Sequence, residues 1–277
     1  MQRIINFAPT GIIPTKKMTP FVPLSIDEIV EDVHKAYIQG ITIVHLHIRD
    51  EEQHPTLNAK LYGTLISKIR RYAPELLICV SLSARNQESF EKRVEPLYLQ
   101  GDEKPDMASL TLSSMNFTNS SSINNPEDIE ALAHIMHEQS IIPELEIFDV
   151  GMLNYAKYLI SKNILSPTNY FNLMLGNIAS AQASLLHAGM LLQELPENSF
   201  WSFGGIGNAS IKAHHMAMAM DGGIRVGLED NIWLDEQRKV LASNQELLQR
   251  THKLLELHSQ NVMQGSTLRD KILKANQ

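Results

Sequence analysis

The sequence predicts a (β/α)8 barrel. Three observations carry this expectation: eight short apolar runs of strand character spread along the whole chain, segments of helical periodicity alternating with them, and a length of 277 residues, which suits such a barrel. A doubly wound open sheet is the alternative arrangement of the same elements, because strand order is not written in one sequence.

Taken in order, the first strand, 3–9, leads to a helix over 25–40 that opens on Ser25 as N-cap, carries Glu28 three residues on, and stops at Gly40. Strand two is 41–48, with a helix over 56–73 behind it, and strand three is 76–83, followed by a helix over 88–98. Strand four, 107–112, runs into the polar segment LSSMNFTNSSSINN (112–125), longer than an ordinary βα connection and placed to serve as a lid or binding loop on the catalytic face. Helices over 126–139, 150–163, 179–193, 208–220 and 236–258 alternate with strands 141–149, 170–175, 199–205 and 222–229. No low-complexity linker divides the chain, so 1–277 reads as one barrel domain with a C-terminal helical extension.

Composition excludes several classes of function. A net charge of −7 leaves no electrostatic footprint for nucleic acid, and no run of about 18 apolar residues is available to span a bilayer. Prolines and polar residues interrupt the first twenty positions where a secretion signal needs an unbroken apolar stretch, and the single cysteine, Cys79, forms no intrachain disulfide. The reading is an intracellular, cytoplasmic chain whose Cys79 is a small buried hydrophobe.

The second strand carries the chemistry. In GITIVHLHIRD, strand alternation puts His45 and His47 on one face at the C-terminal end. Two buried imidazoles side by side repel if both are protonated; a divalent metal bound to both neutral rings removes the difficulty, and separate core hydrogen bonds are the plainer alternative. In GGIRVGLEDN, Glu229 closes strand eight on the face of Arg225, with Asp230 next to it. Strand eight lies one place from strand one and strand one beside strand two, so Glu229 reaches the histidine pair across the barrel mouth. Two histidines and a carboxylate leave coordination positions open, as a catalytic site requires; ligand type favours zinc, with manganese, cobalt or iron as alternatives. Arg225, facing inward, must be paired by Asp230, by Glu229 or by a substrate carboxylate. Ser81 and Ser83 offer hydroxyls at the same mouth, and Glu144 and Glu146 share a face of strand five. Gly204, Gly205 and Gly207 in FGGIGNAS suit either backbone contact with an anion at a helix N-terminus or a tight turn. His214, His215 and the other histidines read as structural.

Eight segments in register, PTKKMTPFVP, IVHLHIRD, ICVSLSAR, KPDMASLTLSSMNF, PELEIFDVGM, YFNLMLGNIASAQA, FWSFGGIG and IRVGLEDN, resemble the β-keto acid cleavage enzyme family over nearly the whole chain. The resemblance implies a (β/α)8 barrel with a divalent metal, usually zinc, assembled as dimers or tetramers. It implies a reaction in which a β-keto acid and acetyl-CoA give acetoacetate and a new CoA thioester, with no nucleic acid or membrane partner. By motif, His45, His47 and Glu229 match the metal ligands, Arg225 with Asp230 the base, Ser81 a hydroxyl contacting substrate, and Glu144 and Thr111 pocket positions. One departure bears on specificity. The amino-substrate subgroup places a glutamate in the loop after strand one, where this chain has TGIIPTKKMTP; Thr15 and Lys16 are the substrate-contact candidates there, and a lysine does not hold an ammonium. A neutral or anionic substrate side chain is expected. The competing readings are a metal-dependent aldolase or hydrolase without CoA and a silent metal-binding barrel, the latter disfavoured by the presence of both Arg225 and Asp230.

Overall fold

The computed structural model describes residues 1–86 and 89–276. Eight parallel strands close into a barrel: β1 (Ile5–Phe7), β2 (Ile43–Leu46), β3 (Leu77–Val80), β4 (Met107–Thr111), β5 (Ile142–Ile147), β6 (Tyr170–Leu175), β7 (Phe200–Gly205) and β8 (Gly223–Val226). Each pairs with its sequence neighbours and β8 pairs with β1, so the (β/α)8 barrel is the fold and the open sheet is set aside. The helices are α1 (Ile26–Gln39), α2 (Ala59–Arg70), α3 (Phe90–Val94), α4 (Pro126–Glu138), α5 (Val150–Ser161), α6 (Leu185–Glu194), α7 (Ala209–Ala219), α8 (Asn244–Leu257) and α9 (Gly265–Ala275). Helix α1 forms as its sequence dictates. Ser25 and Glu28 make a reciprocal capping box, Ile29, Val33 and Ala36 form the buried stripe, and Gly40 ends the helix at φ 104°, a conformation that favours glycine. The first residue of the helix expected over 88–98 lies outside the described residues.

The barrel interior is divided by polarity. Toward the N-terminal ends of the strands, Ile4, Ile43, Leu77, Met107, Ile142 and Tyr170 form an apolar floor, covered by Met263, Leu268 and Ile272 around α9. Further up, the inward positions turn polar: Asn6, His45, Glu144, Asn172 and Arg225 are all nearly inaccessible to solvent. Such a layer survives only if its members satisfy one another, and that mutual pairing builds the site.

Three connections differ from expectation. The helix expected over 236–258 starts only at Asn244, where Ser243 and Glu246 form a capping box; before it, Asp235 accepts the backbone N–H groups of Lys239 and Val240 at 2.9 and 2.7 Å, and this turn competes with helix. The helix expected over 179–193 starts at Leu185 behind Ser184, while Gln182 reaches back to the Asn177 carbonyl. The polar segment after β4 folds as a short hairpin, Met115–Asn116 against Ser121–Ser122, tied down where Asn177 Nδ2 donates to the Asn116 carbonyl at 3.0 Å.

Candidate active site

At the C-terminal end of the barrel lies a cleft of about 840 Å³, lined among others by His47, Ser81, Arg85, Arg225, Glu229 and Asp230. Strand alternation delivers the histidines as expected, with Nε2 of His45 and Nε2 of His47 3.3 Å apart and both rings buried. Glu229 arrives by a different route from the one expected. Strand β8 ends at Val226, and Glu229 occupies the turn beyond it, held by its backbone N–H to the Ala8 carbonyl at 3.2 Å. Its Oε1 stands 3.2 Å from His47 Nε2 and 3.9 Å from His45 Nε2.

This turn places a strict demand on Gly11. Its φ is +68°, and a Cβ built there meets Glu229 Cγ at 2.6 Å. Gly11→Ala is expected to push the carboxylate away from the histidines and weaken divalent-metal affinity by about 10- to 100-fold, the scale seen when metal ligands lose their orientation. Titration of zinc into the metal-free variant checks this, and an affinity equal to wild type would show that Glu229 does not depend on the glycine.

The donor set fits a divalent cation. Glu144, fully buried, accepts from His45 Nδ1 at 2.5 Å and from Asn172 Nδ2 at 3.3 Å, and also from Asn6 Nδ2. Since a carboxylate only accepts, Nδ1 of His45 carries a proton, and once the ring gives up its second proton to a bound cation its Nε2 lone pair is aimed at His47 and Glu229. Glu229 Oε2 is buried without a partner. Four carboxylates, Glu144, Glu146, Glu229 and Asp230, lie within 4.0 Å of the single Arg225 guanidinium, a surplus of three negative charges that a divalent ion offsets in large part. A second group, His45, Cys79 and Glu144, also clusters closely, but its members already bond one another, Cys79 Sγ donating to Glu144 at 3.2 Å, and all are buried beneath the cleft with no face for substrate.

Electrostatics sort the ionisable groups. Burial opposes charge on His45, yet the Glu144 carboxylate overrides it and holds the imidazole up at about 9 without metal, while burial leads in lowering His47. Burial and Glu229 push Asp230 up to about 6 against the pull of Arg225. Burial opposes the charge of Arg225 as well, but Asp230, Glu229, Glu144 and Glu146 together outweigh it and raise the guanidinium further. Arg225 is thus held as a cation, donating from Nη2 to Glu229 at 2.7 Å and from Nε to Asp230 at 2.9 Å.

Beneath Arg225, His214 Nε2 donates to the Arg225 carbonyl at 2.8 Å, and burial lowers its pKa to about 4. A histidine held below its ordinary value of about 6.5 contributes stability that is complete above 6.5 and lost as pH falls toward 4, here about 3 kcal/mol. Chemical denaturation from pH 7 to 4 should show a steeper loss for wild type than for His214→Gln; equal pH profiles would remove this role.

The remaining expected residues divide. Ser81, Ser83 and Thr111 line the cleft, with Thr111 Oγ1 donating to Glu146 at 2.7 Å. Glu144 braces His45 from below rather than lining the cleft wall. Thr15 and Lys16 lie outside the lining: Lys16 Nζ is taken by Glu28 at 2.6 Å, and the Thr15 hydroxyl accepts from Met18 N at 3.3 Å inside its own turn. Gly204 and Gly205 are the last two residues of β7, and Gly205 is small because α7 packs on it, where a Cβ would meet the Ala209 carbonyl at 2.6 Å; Gly207 reaches the cleft instead. Sequence reasoning missed Arg49, whose Nη2 donates to the carbonyls of Gly11, Ile12 and Pro14 at 3.0, 2.8 and 3.0 Å and so shapes the loop after β1. It also missed Arg85 and Arg238 in the cleft wall. The arginines of HIRD and SLSAR, each just past a barrel strand, were the available signal.

A cleft over two histidines and a carboxylate that could hold a metal ion, ringed by βα loops, is the arrangement of a barrel enzyme. A sequence model of the β-keto acid cleavage enzymes matches residues 2–273, and the chain belongs to that family. It is 32% identical over 253 residues to a 3-keto-5-aminohexanoate cleavage enzyme of Fusobacterium nucleatum, covering 91% of this chain and 90% of the relative. It is 30% identical to a 3-oxoadipate:acetyl-CoA acetyltransferase of Cupriavidus necator, covering 94% and 90%. Among solved structures, ObcA in a ternary complex with a C4-CoA adduct and oxalate superposes with a TM-score of 0.79 at 18% identity, over 91% of this chain and 67% of that one, a likeness of fold.

Proposed function

We propose that this protein cleaves a β-keto acid with acetyl-CoA as co-substrate, giving acetoacetate and a new acyl-CoA. The observation that carries the reading is the convergence of His45 Nε2, His47 Nε2 and Glu229 Oε1 at the cleft floor beside Arg225 and Asp230. His45, His47 and Glu229 would hold the divalent ion, zinc by ligand type, which when bound supplies Lewis acidity and a template for the keto acid. Asp230 takes the proton from C2; Arg225 keeps Asp230 aimed and places its positive charge where the enolate forms. The C2 carbanion attacks the acetyl-CoA carbonyl and expels CoA thiolate. Thiolate then attacks the distal keto carbonyl, the C2–C3 bond breaks to release acyl-CoA, and Asp230 returns its proton to the acetoacetate enolate. Ser81 contacts the substrate from the third strand, with Thr111 and Ser83 further out. Glu144 holds the His45 tautomer, a positioning role that replaces direct catalysis.

The loop after β1 offers Ile12, Ile13 and Met18 to the cleft and no carboxylate, which supports a neutral or anionic substrate side chain. No helix among the described residues is long and apolar enough to cross a membrane, and a cytoplasmic location belongs to the proposal. So does a single barrel domain whose C-terminal extension is α9. Leu185, Leu186 and Met190 of α6 are exposed, and assembly of copies of the chain as a dimer or tetramer belongs to the proposal as well.

A panel of β-keto acids incubated with acetyl-CoA and metal-loaded protein, reading acetoacetate and acyl-CoA by mass spectrometry, tests the reading. Coupled appearance of both products is expected. Cleavage that proceeds equally well without acetyl-CoA would replace it with the aldolase or hydrolase reading.

A further inference from the structure

We propose that Arg85 sets the specificity of this site by binding a distal carboxylate, so that the preferred substrates are β-keto dicarboxylic acids. The inference rests on the function proposed above and deepens it.

Arg85 lies in the 3-10 turn Ala84–Asn86 just past β3, and it lines the same cleft as His47 and Glu229. The arginines of the cleft wall differ in what satisfies them. Arg225 is surrounded by four carboxylates, and Arg238, at the exposed rim, donates to Asn208 Oδ1 at 2.9 Å. The Arg85 guanidinium has no carboxylate within salt-bridge distance among the described residues. It lies 3.8 Å over the Phe117 ring, and its Nε and Nη2 reach Ser120 Oγ at 3.4 Å. A ring face and a neutral hydroxyl orient the planar fork, and Glu229 and Glu146 act on it only from beyond salt-bridge distance, which leaves the partly buried cation open to a ligand carboxylate. A guanidinium held this way matches a carboxylate with two parallel hydrogen bonds.

The surroundings select among anions. Strand β2, which carries His45, lies between β1 and β3. The loop after β1 gives the cleft apolar Ile12, Ile13 and Met18, and the segment after β3 gives Arg85. A keto acid with its reacting end at the histidines therefore has an apolar wall on its β1 side and the Arg85 cation on its β3 side. That arrangement suits a methylene chain ending in a carboxylate.

The test compares a β-keto dicarboxylic acid with its methyl-terminated analogue of equal length, using zinc-loaded wild type, Arg85→Met and Arg85→Lys. Wild type should favour the dicarboxylate in kcat/KM. Arg85→Met, which keeps the stem over Phe117, should lower kcat/KM for the dicarboxylate by about 10- to 100-fold and leave the neutral substrate within about threefold, with Arg85→Lys recovering part of the loss. A parallel calorimetric arm measures adipate and hexanoate as non-reacting probes: Arg85→Met should weaken adipate alone. Equal losses for both substrates, an unchanged preference, or a loss confined to the KM of acetyl-CoA would overturn the proposal, the last by placing Arg85 on the CoA phosphates. If wild type cleaves neither keto acid with acetyl-CoA, the functional reading fails, and the adipate arm decides the role of Arg85 by itself.

Discussion

Asp230→Asn is expected to lose about three orders of magnitude in kcat while keeping its metal, the usual scale for removing a positioned general base. The carboxylate is nearly enclosed at the cleft wall, accepts from Arg225 Nε at 2.9 Å, and is the neighbour of Glu229 without being one of the three converging donors. An asparagine keeps the size and can still bond Arg225, but it accepts no proton from carbon. Steady-state kinetics with metal analysis on the same preparation check this. A variant that retains more than about a tenth of wild-type kcat would move the proton to another group.

Arg225→Met is expected to abolish turnover and also to destabilise the protein by about 3–5 kcal/mol, because it strands buried carboxylates without their counter-ion. Arg225 is among the largest fully buried side chains of the protein, and its Nη1 has no hydrogen-bond partner although Glu144 and Glu146 stand 4.0 and 3.9 Å away. One donor of the guanidinium is thus held in reserve at the cleft, consistent with a partner that arrives with the substrate. Metal content should persist in this variant. Denaturation curves give the stability loss, and a metal content that falls with the substitution would instead assign Arg225 to holding Glu229 in place.

Much of this was legible in the sequence, and for identifiable reasons. All eight barrel strands fall within the apolar runs read from the sequence, since both faces of a parallel barrel are buried and each strand reads as a continuous apolar stretch. His45 and His47 follow from alternation alone. Glu229 was placed correctly at the mouth, although it lies in a turn beyond Val226 rather than on the strand, because the chain direction at a strand end tolerates a few residues of error. Glu144 was seen as an inward carboxylate, but its bond to His45 spans 99 residues and no local pattern records such a contact. Lys16 and the β7 glycines were misplaced for a related reason. Whether a polar group or a glycine faces ligand or neighbour depends on what packs against it, here Glu28 for Lys16 and α7 for Gly205. The loop before α8 was hidden by helical composition that Asp235 overrides through two backbone hydrogen bonds, and that loop carries Arg238 to the cleft.

The most direct test is the metal stoichiometry of the protein and two variants, by elemental analysis after zinc loading and removal of excess. One zinc per chain is predicted for wild type, essentially none for His47→Ala, and one for Cys79→Ser, since Cys79 belongs to the buried cluster below the cleft. Zinc that survives in His47→Ala and disappears in Cys79→Ser would show that the ion binds beneath the cleft, out of reach of any substrate, and would contradict the account.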